Sequence, residues 1–329
     1  MLKAAPLARS SRQKGSRVVH RFAIALVVST FVLTIFGGLV STTASGLACP
    51  DWPLCEGQMF PKMVNGKEFE HTHRLVALFV LAMSFSLTAL VVKYRRHDRP
   101  LVLAAVGASA LVVVQALLGA LTVVLRLPWW VSSTHLATAT AFFALTVTLA
   151  FWTRQRLAPP AVAPGRPLLK LIVPVGALVY AQVVAGAVMR HTHAGLACGF
   201  DLPLCNGALW PMDQGGAVHV HMLHRVLGVV VGLAVLWLSG ALWRSPLASP
   251  ALRRLAQLAA VAVVCQVALG ILVVLWSRPL PTMTIHSSLG LMLWALVVSM
   301  GWVASPSAAP AAVAAPAPEA PLSGNEVAA

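Results

Sequence analysis

The sequence predicts an all-α, polytopic membrane protein whose eight transmembrane helices form two tandem-repeat four-helix bundles. Three observations predict it. Of 329 residues, 58% are hydrophobic and only 10% charged, whereas a soluble domain carries roughly a quarter charged residues. Apolar stretches long enough to cross a bilayer recur along the chain. The second half of the chain repeats the first. The same composition excludes a secreted disulfide scaffold, because five cysteines are too few for this length.

Charge-free apolar runs fall at about 22–40, 75–92, 101–125, 127–153, 171–189, 226–243, 255–277 and 279–304. Each approaches or exceeds the roughly 20 residues that a helix needs to span hydrocarbon. Strands would leave backbone groups unsatisfied unless closed in a barrel, and these runs lack barrel alternation. The first run follows six basic residues of a cytoplasmic tail, 1–21. A cleaved signal peptide is the alternative there, since Thr42-Thr43-Ala44-Ser45 follows. The repeat argues against cleavage, because it makes 22–40 the counterpart of 171–189. Four basic residues separate the second and third runs, and only Arg126 separates the third from the fourth. Together 22–153 make the N-terminal bundle. The segment 154–167, with four prolines, is a cytoplasmic linker. The fifth to eighth runs make the C-terminal bundle, 168–304. The tail 305–329 is Ala/Pro-rich and predicted to be disordered.

Lys and Arg orient the spans. Seventeen of 24 lie in the N-terminal tail and in the connections after the second, fourth and sixth runs. Both termini are therefore expected in the cytoplasm. The net charge of +15 is a topology signal that suits anionic membrane lipid, with no role for nucleic acid. The lack of an acid-poor amphipathic presequence favours a bacterial inner membrane.

The repeat is specific. Ser45-Gly46-Leu47-Ala48-Cys49 matches Ala194-Gly195-Leu196-Ala197-Cys198 at an offset of 149. His73-Arg74 matches His224-Arg225 at 151, as do Gln115 with Gln266, Gly119 with Gly270, Pro128 with Pro279, and His135 with His286. Four histidines thus stand near the outer ends of their spans. Ionisable residues within a membrane are costly and usually functional. Two neutral imidazoles on facing helices suit the axial positions of a haem, whose macrocycle fills the apolar space of a four-helix bundle. Zinc would need three or four protein ligands close together. Arg74 and Arg225 directly follow their histidines. They read either as clamps on haem propionates or as side chains snorkelling to the interface. Gln115 and Gln266 read as helix-packing residues with an interhelical amide bond.

The halves also differ. Glu70 lies one helical turn before His73, whereas His221 holds that place before His224. Only the first half therefore sets a carboxylate beside its histidines, able to act as a base or to stabilise a developing cation. The alternative is a solvated cap on the second span. Five surplus histidines on the outer side (His71, His191, His193, His219 and His221) are read as crowding the outer loops, mostly solvated. Cys49 and Cys55 share one outer loop, Cys198 and Cys205 its repeat. The arrangement favours a disulfide within each, structural or redox-active. Cys265 reads as an inert core residue.

With four histidines, Glu-x-x-His-Arg from Glu70 to Arg74, and paired loop cysteines in a duplicated eight-span chain, the sequence resembles the haem A synthase family from about Arg21 to Ala304. The first cysteine pair is one residue tighter than the second, which leaves open whether both loops behave alike. The resemblance implies oxidation of a haem O methyl substituent to the formyl group of haem A, through successive hydroxylations and loss of water. It implies haem B as cofactor on His224 and His286, with haem O between His73 and His135 beside Glu70. Haem O synthase and cytochrome oxidase assembly factors become candidate partners, and a homo-oligomer a candidate state. The alternative is a di-haem membrane cytochrome exchanging electrons with quinone. It would use the same histidines and have no need of Glu70. A haem carrier or assembly chaperone is a third class.

Overall fold

A computed structural model describes residues 6–155, 157 and 166–305. The tail 306–329 and most of the linker lie outside the described residues. The described chain is helical: α1 (Pro6–Thr42), α2 (Lys67–Arg95), α3 (Arg99–Val124), α4 (Trp129–Gln155), α5 (Arg166–His191), α6 (Gly216–Arg244), α7 (Pro250–Leu275) and α8 (Leu280–Ala304), with one 3-10 turn at Ala194–Leu196. Each of the eight long helices holds a stretch apolar and long enough to cross a membrane.

The helices run past the charge-free runs. α2 begins at Lys67, so His73 does not open its helix but lies nearly two turns inside it. A hydropathy run stops at Glu70 and Arg74, whereas the backbone hydrogen-bond ladder does not. Gly66 caps this end at φ 89°, where a Cβ would meet Ser45 Oγ at 2.8 Å. Only glycine suits that position.

In the first half α1 and α3 each pack on α2 and α4; in the second, α5 and α7 each pack on α6 and α8. The halves meet through α4 on α5, α1 on α8, and α4 on α8. Under the repeat the first two contacts exchange and the third maps onto itself, so the halves face each other about a pseudo-two-fold axis. The seam is symmetric in shape but not in bonding. Ring pairs Phe31–Phe143 and Tyr180–Trp294 are counterparts. Only the second pair carries donors: Tyr180 Oη to the Ala137 carbonyl at 3.0 Å and Trp294 Nε1 to the Thr140 carbonyl at 3.1 Å.

The apolar cores lie toward the end that carries both helix α1's start and helix α8's finish. Val19, Leu26, Leu87, Leu101 and Leu149 fill it in the first half, and Leu168, Leu238, Leu242, Leu252 and Met300 in the second. The opposite end, which carries the cysteine loops, is hollow. Cys265 is not a core residue: it is exposed on the bundle's surface. An apolar run cannot distinguish a helix face turned to lipid from one turned inward.

Candidate functional site

A cavity of about 1410 Å³ occupies the loop end and is lined by both halves. It exceeds the roughly 300–1,000 Å³ of an ordinary small-molecule site. His73, His135, His224 and His286 all line it, together with Glu70, Arg74 and Arg225.

Each of these four histidines stands against a glycine of the neighbouring helix. A Cβ built on Gly37 of α1 would lie 3.0 Å from His73 Cε1, and one on Gly186 of α5 would lie 3.1 Å from His224 Cε1. The same contact is 3.4 Å for Gly119 with His135 and 3.2 Å for Gly270 with His286. Four flat rings are thus backed by bare helix backbone. His73 and His135 line the cavity from the first half, His224 and His286 from the second. Nδ1 of His73, His224 and His286 is buried without a hydrogen-bond partner. An unmatched buried nitrogen costs about 1–3 kcal/mol, so these rings suit a ligand that supplies what the protein withholds. Paired imidazoles in an apolar hollow fit a haem. Among the described residues, these four form no cluster of three or more metal-binding groups; the one such group is Cys49, Cys55 and His71, whose two sulfurs are joined to each other.

The glutamines serve the histidines' helices. With its amide turned to satisfy both ends, Gln115 donates to the His135 carbonyl at 3.2 Å and to His135 Nδ1 at 3.0 Å. Gln266 Nε2 lies 3.4 Å from His286 Nε2. The interhelical amide bond is present, but Gly119 and Gly270 receive imidazoles and not a helix backbone. Gln182, four residues before Gly186, donates to the His224 carbonyl at 3.0 Å. Its first-half counterpart is Leu33.

The two loops dock alike on their histidine helices through unlike residues. Cys49 is bonded to Cys55 and Cys198 to Cys205. In the first half Glu70 is buried. Its Oε2 accepts from the Cys49 amide at 2.8 Å and its Oε1 from Arg74 Nη2 at 2.5 Å. Arg74 also donates to the carbonyls of Asp51 at 2.6 Å, Leu54 at 2.5 Å and Cys49 at 3.1 Å. All its terminal N–H groups are thereby taken up. In the second half His221 lies between the same two partners, its Nδ1 3.3 Å from the Cys198 amide nitrogen and its Nε2 3.1 Å from Arg225 Nε; a neutral imidazole has one acceptor nitrogen, so it accepts from one of these donors at a time. Arg225 Nη1 donates to the carbonyls of Asp201 and Leu204, both at 2.9 Å, while its Nη2 is buried and unpartnered. A neutral ion pair in the first half thus becomes a net cation with free donors in the second. Within the first loop, the Gly57 and Glu56 amides hold the Asp51 carboxyl below its usual range, the Gly57 bond contributing most.

Several surplus histidines are not solvated loop residues. His71 lies in α2 and His221 in α6, and both are buried. His191 ends α5 and lines the cavity. Helix extension beyond the apolar runs carries them inward. Sequence reading passed over Gly37 and Gly186, although their offset of 149 matches the rest of the repeat.

Residues 20–68 and 64–298 match the COX15-CtaA family, described as cytochrome oxidase assembly protein. The chain is also similar to "Heme A synthase" of Halalkalibacterium halodurans, at 33% identity over 234 residues, which cover 67% of this chain and 76% of that protein. "Heme A synthase" of Alkalihalophilus pseudofirmus is 32% identical over 225 residues, 65% of this chain and 73% of its own length. The protein of the same description from Symbiobacterium thermophilum is 30% identical over 302 residues, covering 88% and 96%.

Proposed function

We propose, from the premise that the chain belongs to the COX15-CtaA family, that it is a haem A synthase. It oxidises a methyl substituent of haem O to the formyl group of haem A for terminal oxidases. The observation that carries the reading is a cavity with two glycine-backed histidine pairs and different chemistry beside each.

The first half holds the substrate, with His73 and His135 on the iron of haem O and Glu70 at the macrocycle's edge. Glu70 is aimed by two hydrogen bonds, one to the loop amide and one to Arg74. From there it takes up a proton or steadies positive charge developing at the reacting carbon. Arg74 fixes the loop that closes this half, with only its Nε left to reach a propionate. The second half holds haem B on His224 and His286, and the free Nη2 of Arg225 binds a propionate. When bound, haem B supplies one-electron redox chemistry.

The chain is a multi-pass membrane protein. The distribution of Lys and Arg supports cytoplasmic termini, and the bacterial relatives support an inner membrane. The cysteine loops and both haem sites then lie toward the outer face. Haem O arrives from a haem O synthase, and haem A passes to oxidase assembly factors.

The test is pigment analysis. The chain is produced with a haem O synthase in a host that lacks haem A. Chromatography of the extracted haems is expected to show haem A replacing haem O. Unchanged haem O, with a reversible redox spectrum, would indicate the electron-carrying cytochrome instead.

A further inference from the structure

The second half contains a cation that the first half lacks. Arg190 lies on α5, one helical turn beyond Gly186, the residue backing His224. Its first-half counterpart is Ser41. The guanidinium lines the cavity and donates to Ser287 Oγ on α8, the residue that follows His286. It also reaches the seam, because a Cβ on Gly38 of α1 would stand 3.8 Å from its Nη1. Its one hydrogen-bond partner among the described residues is that neutral hydroxyl, and a second cation, Arg278, lines the same cavity. Ser277 and Arg278 close α7 at φ 56° and 62°, a region that non-glycine residues adopt at a cost. Their amides bond back to the Val274 and Val273 carbonyls.

Two guanidinium groups that line one hollow, with no carboxylate paired to Arg190 among the described residues, form an incomplete anion site. The missing partner must bring anionic oxygen. It must also sit one turn toward the loops from the ring of His224. We propose that Arg190, supported by Arg278, binds a carboxylate of the ligand held by His224 and His286, namely a haem B propionate at the seam between the halves. Arg225 lies on the other helix, so the two propionates would be held separately. This inference rests on the assignment of haem B to the second half. Arg190 is a binding residue that also sets the electrostatics of the iron, since a nearby cation favours the reduced state. The first half, with Ser41 in its place, gives its own ligand no such bias.

The test uses the full-length, haem-loaded chain in detergent, with Arg190→Gln and Arg190→Lys. Arg190→Gln should shift the redox equilibrium of the bis-histidine haem about tenfold toward the oxidised form, or ~59 mV for one electron. Its haem should dissociate ~10- to 100-fold faster, as loss of a charged hydrogen bond implies. Arg190→Lys should restore most of the potential but less of the retention. Loading with haem B dimethyl ester identifies the anion. The ester should dissociate equally fast from wild type and Arg190→Gln. Wild-type potential and retention in Arg190→Gln would overturn the proposal. So would an undiminished effect of Arg190→Gln with the ester, which would assign the anion to a lipid phosphate or another source. If Arg190→Gln fails to fold, the ester on wild-type protein decides: retention equal to that of haem B contradicts the proposal. His224→Ala run alongside tests the underlying assignment separately, because six-coordinate haem surviving there would defeat that reading whatever Arg190 does.

Discussion

The two halves share a scaffold and differ at its edge. Both set a histidine on the second helix and another on the fourth, each against a glycine of its neighbour. Both dock a disulfide loop through the residue three positions before the first histidine. In the first half that residue is Glu70, and both terminal nitrogens of its arginine are engaged. In the second it is His221, Arg225 keeps a buried Nη2 without a hydrogen-bond partner, and Arg190 and Arg278 add two cations to the cavity lining. The duplicated fold thus repeats the glycine-backed histidines and changes the charges beside them. Charge neutrality with a fixed carboxylate suits turnover of a ligand that must leave. Surplus cations suit retention of one that stays.

The comparison breaks most visibly at the histidines. His224→Ala or His286→Ala should abolish tightly bound haem B, because one imidazole cannot hold both axial positions. Purified protein should lack the six-coordinate spectrum; a full complement of such haem in either variant would refute the assignment. Substituting the backing glycines sharpens the contrast by steric means. Gly186→Leu should lower haem B occupancy several-fold by pushing the His224 ring from its seat. Gly37→Leu should spare haem B and lower haem A output, since it displaces His73 alone. Quantifying both pigments in each variant checks this, and equal effects on both pigments would show that the sites are not separate.

Smaller effects are expected from the loops. Breaking either disulfide should cost about 2 kcal/mol for loops this short, similarly in the two halves. The functional outcomes should differ. The Cys49 amide and carbonyl hold Glu70 and Arg74, so Cys49→Ser with Cys55→Ser should lower haem A yield beyond the stability loss. Cys198→Ser with Cys205→Ser should lower stability without that extra loss. Thermal unfolding read beside haem yield separates the two terms, and parallel losses in both halves would erase the distinction.

Much of this was legible in the sequence, for identifiable reasons. Apolar length and absence of charge mark spans directly, and a repeat anchored on His73, His135, His224 and His286 marks the site. The substitution of Glu70 by His221 locates the asymmetry. The helix starts at Lys67 and Gly216 were not legible, because their first turns carry polar residues that face loops and cavity. Gly37 and Gly186 were overlooked because a glycine in a membrane helix has many uses, and only packing shows that it receives a ring. Arg190 and Arg278 were counted as orientation charges. No counterpart in the first half drew attention to them, and their inward direction depends on helix rotation and on the strained turn at Ser277. Cys265 was misjudged for the same reason, since rotation and not hydropathy decides whether a residue faces core or lipid.

The division of labour is tested most directly by pairing Glu70→Gln with His221→Gln and measuring haem species by chromatography at matched protein level. Gln keeps the shape of Glu70 and, through its one carbonyl oxygen, the bond to the Cys49 amide, while it gives up the bond from Arg74 together with charge and basicity. Loss of general-base help typically costs about 10²–10⁴-fold in rate. Glu70→Gln is expected to retain haem B and accumulate haem O or a hydroxylated intermediate with little haem A. His221→Gln is expected to make haem A near the wild-type level. Normal haem A from Glu70→Gln, or equal loss from both variants, would contradict the account.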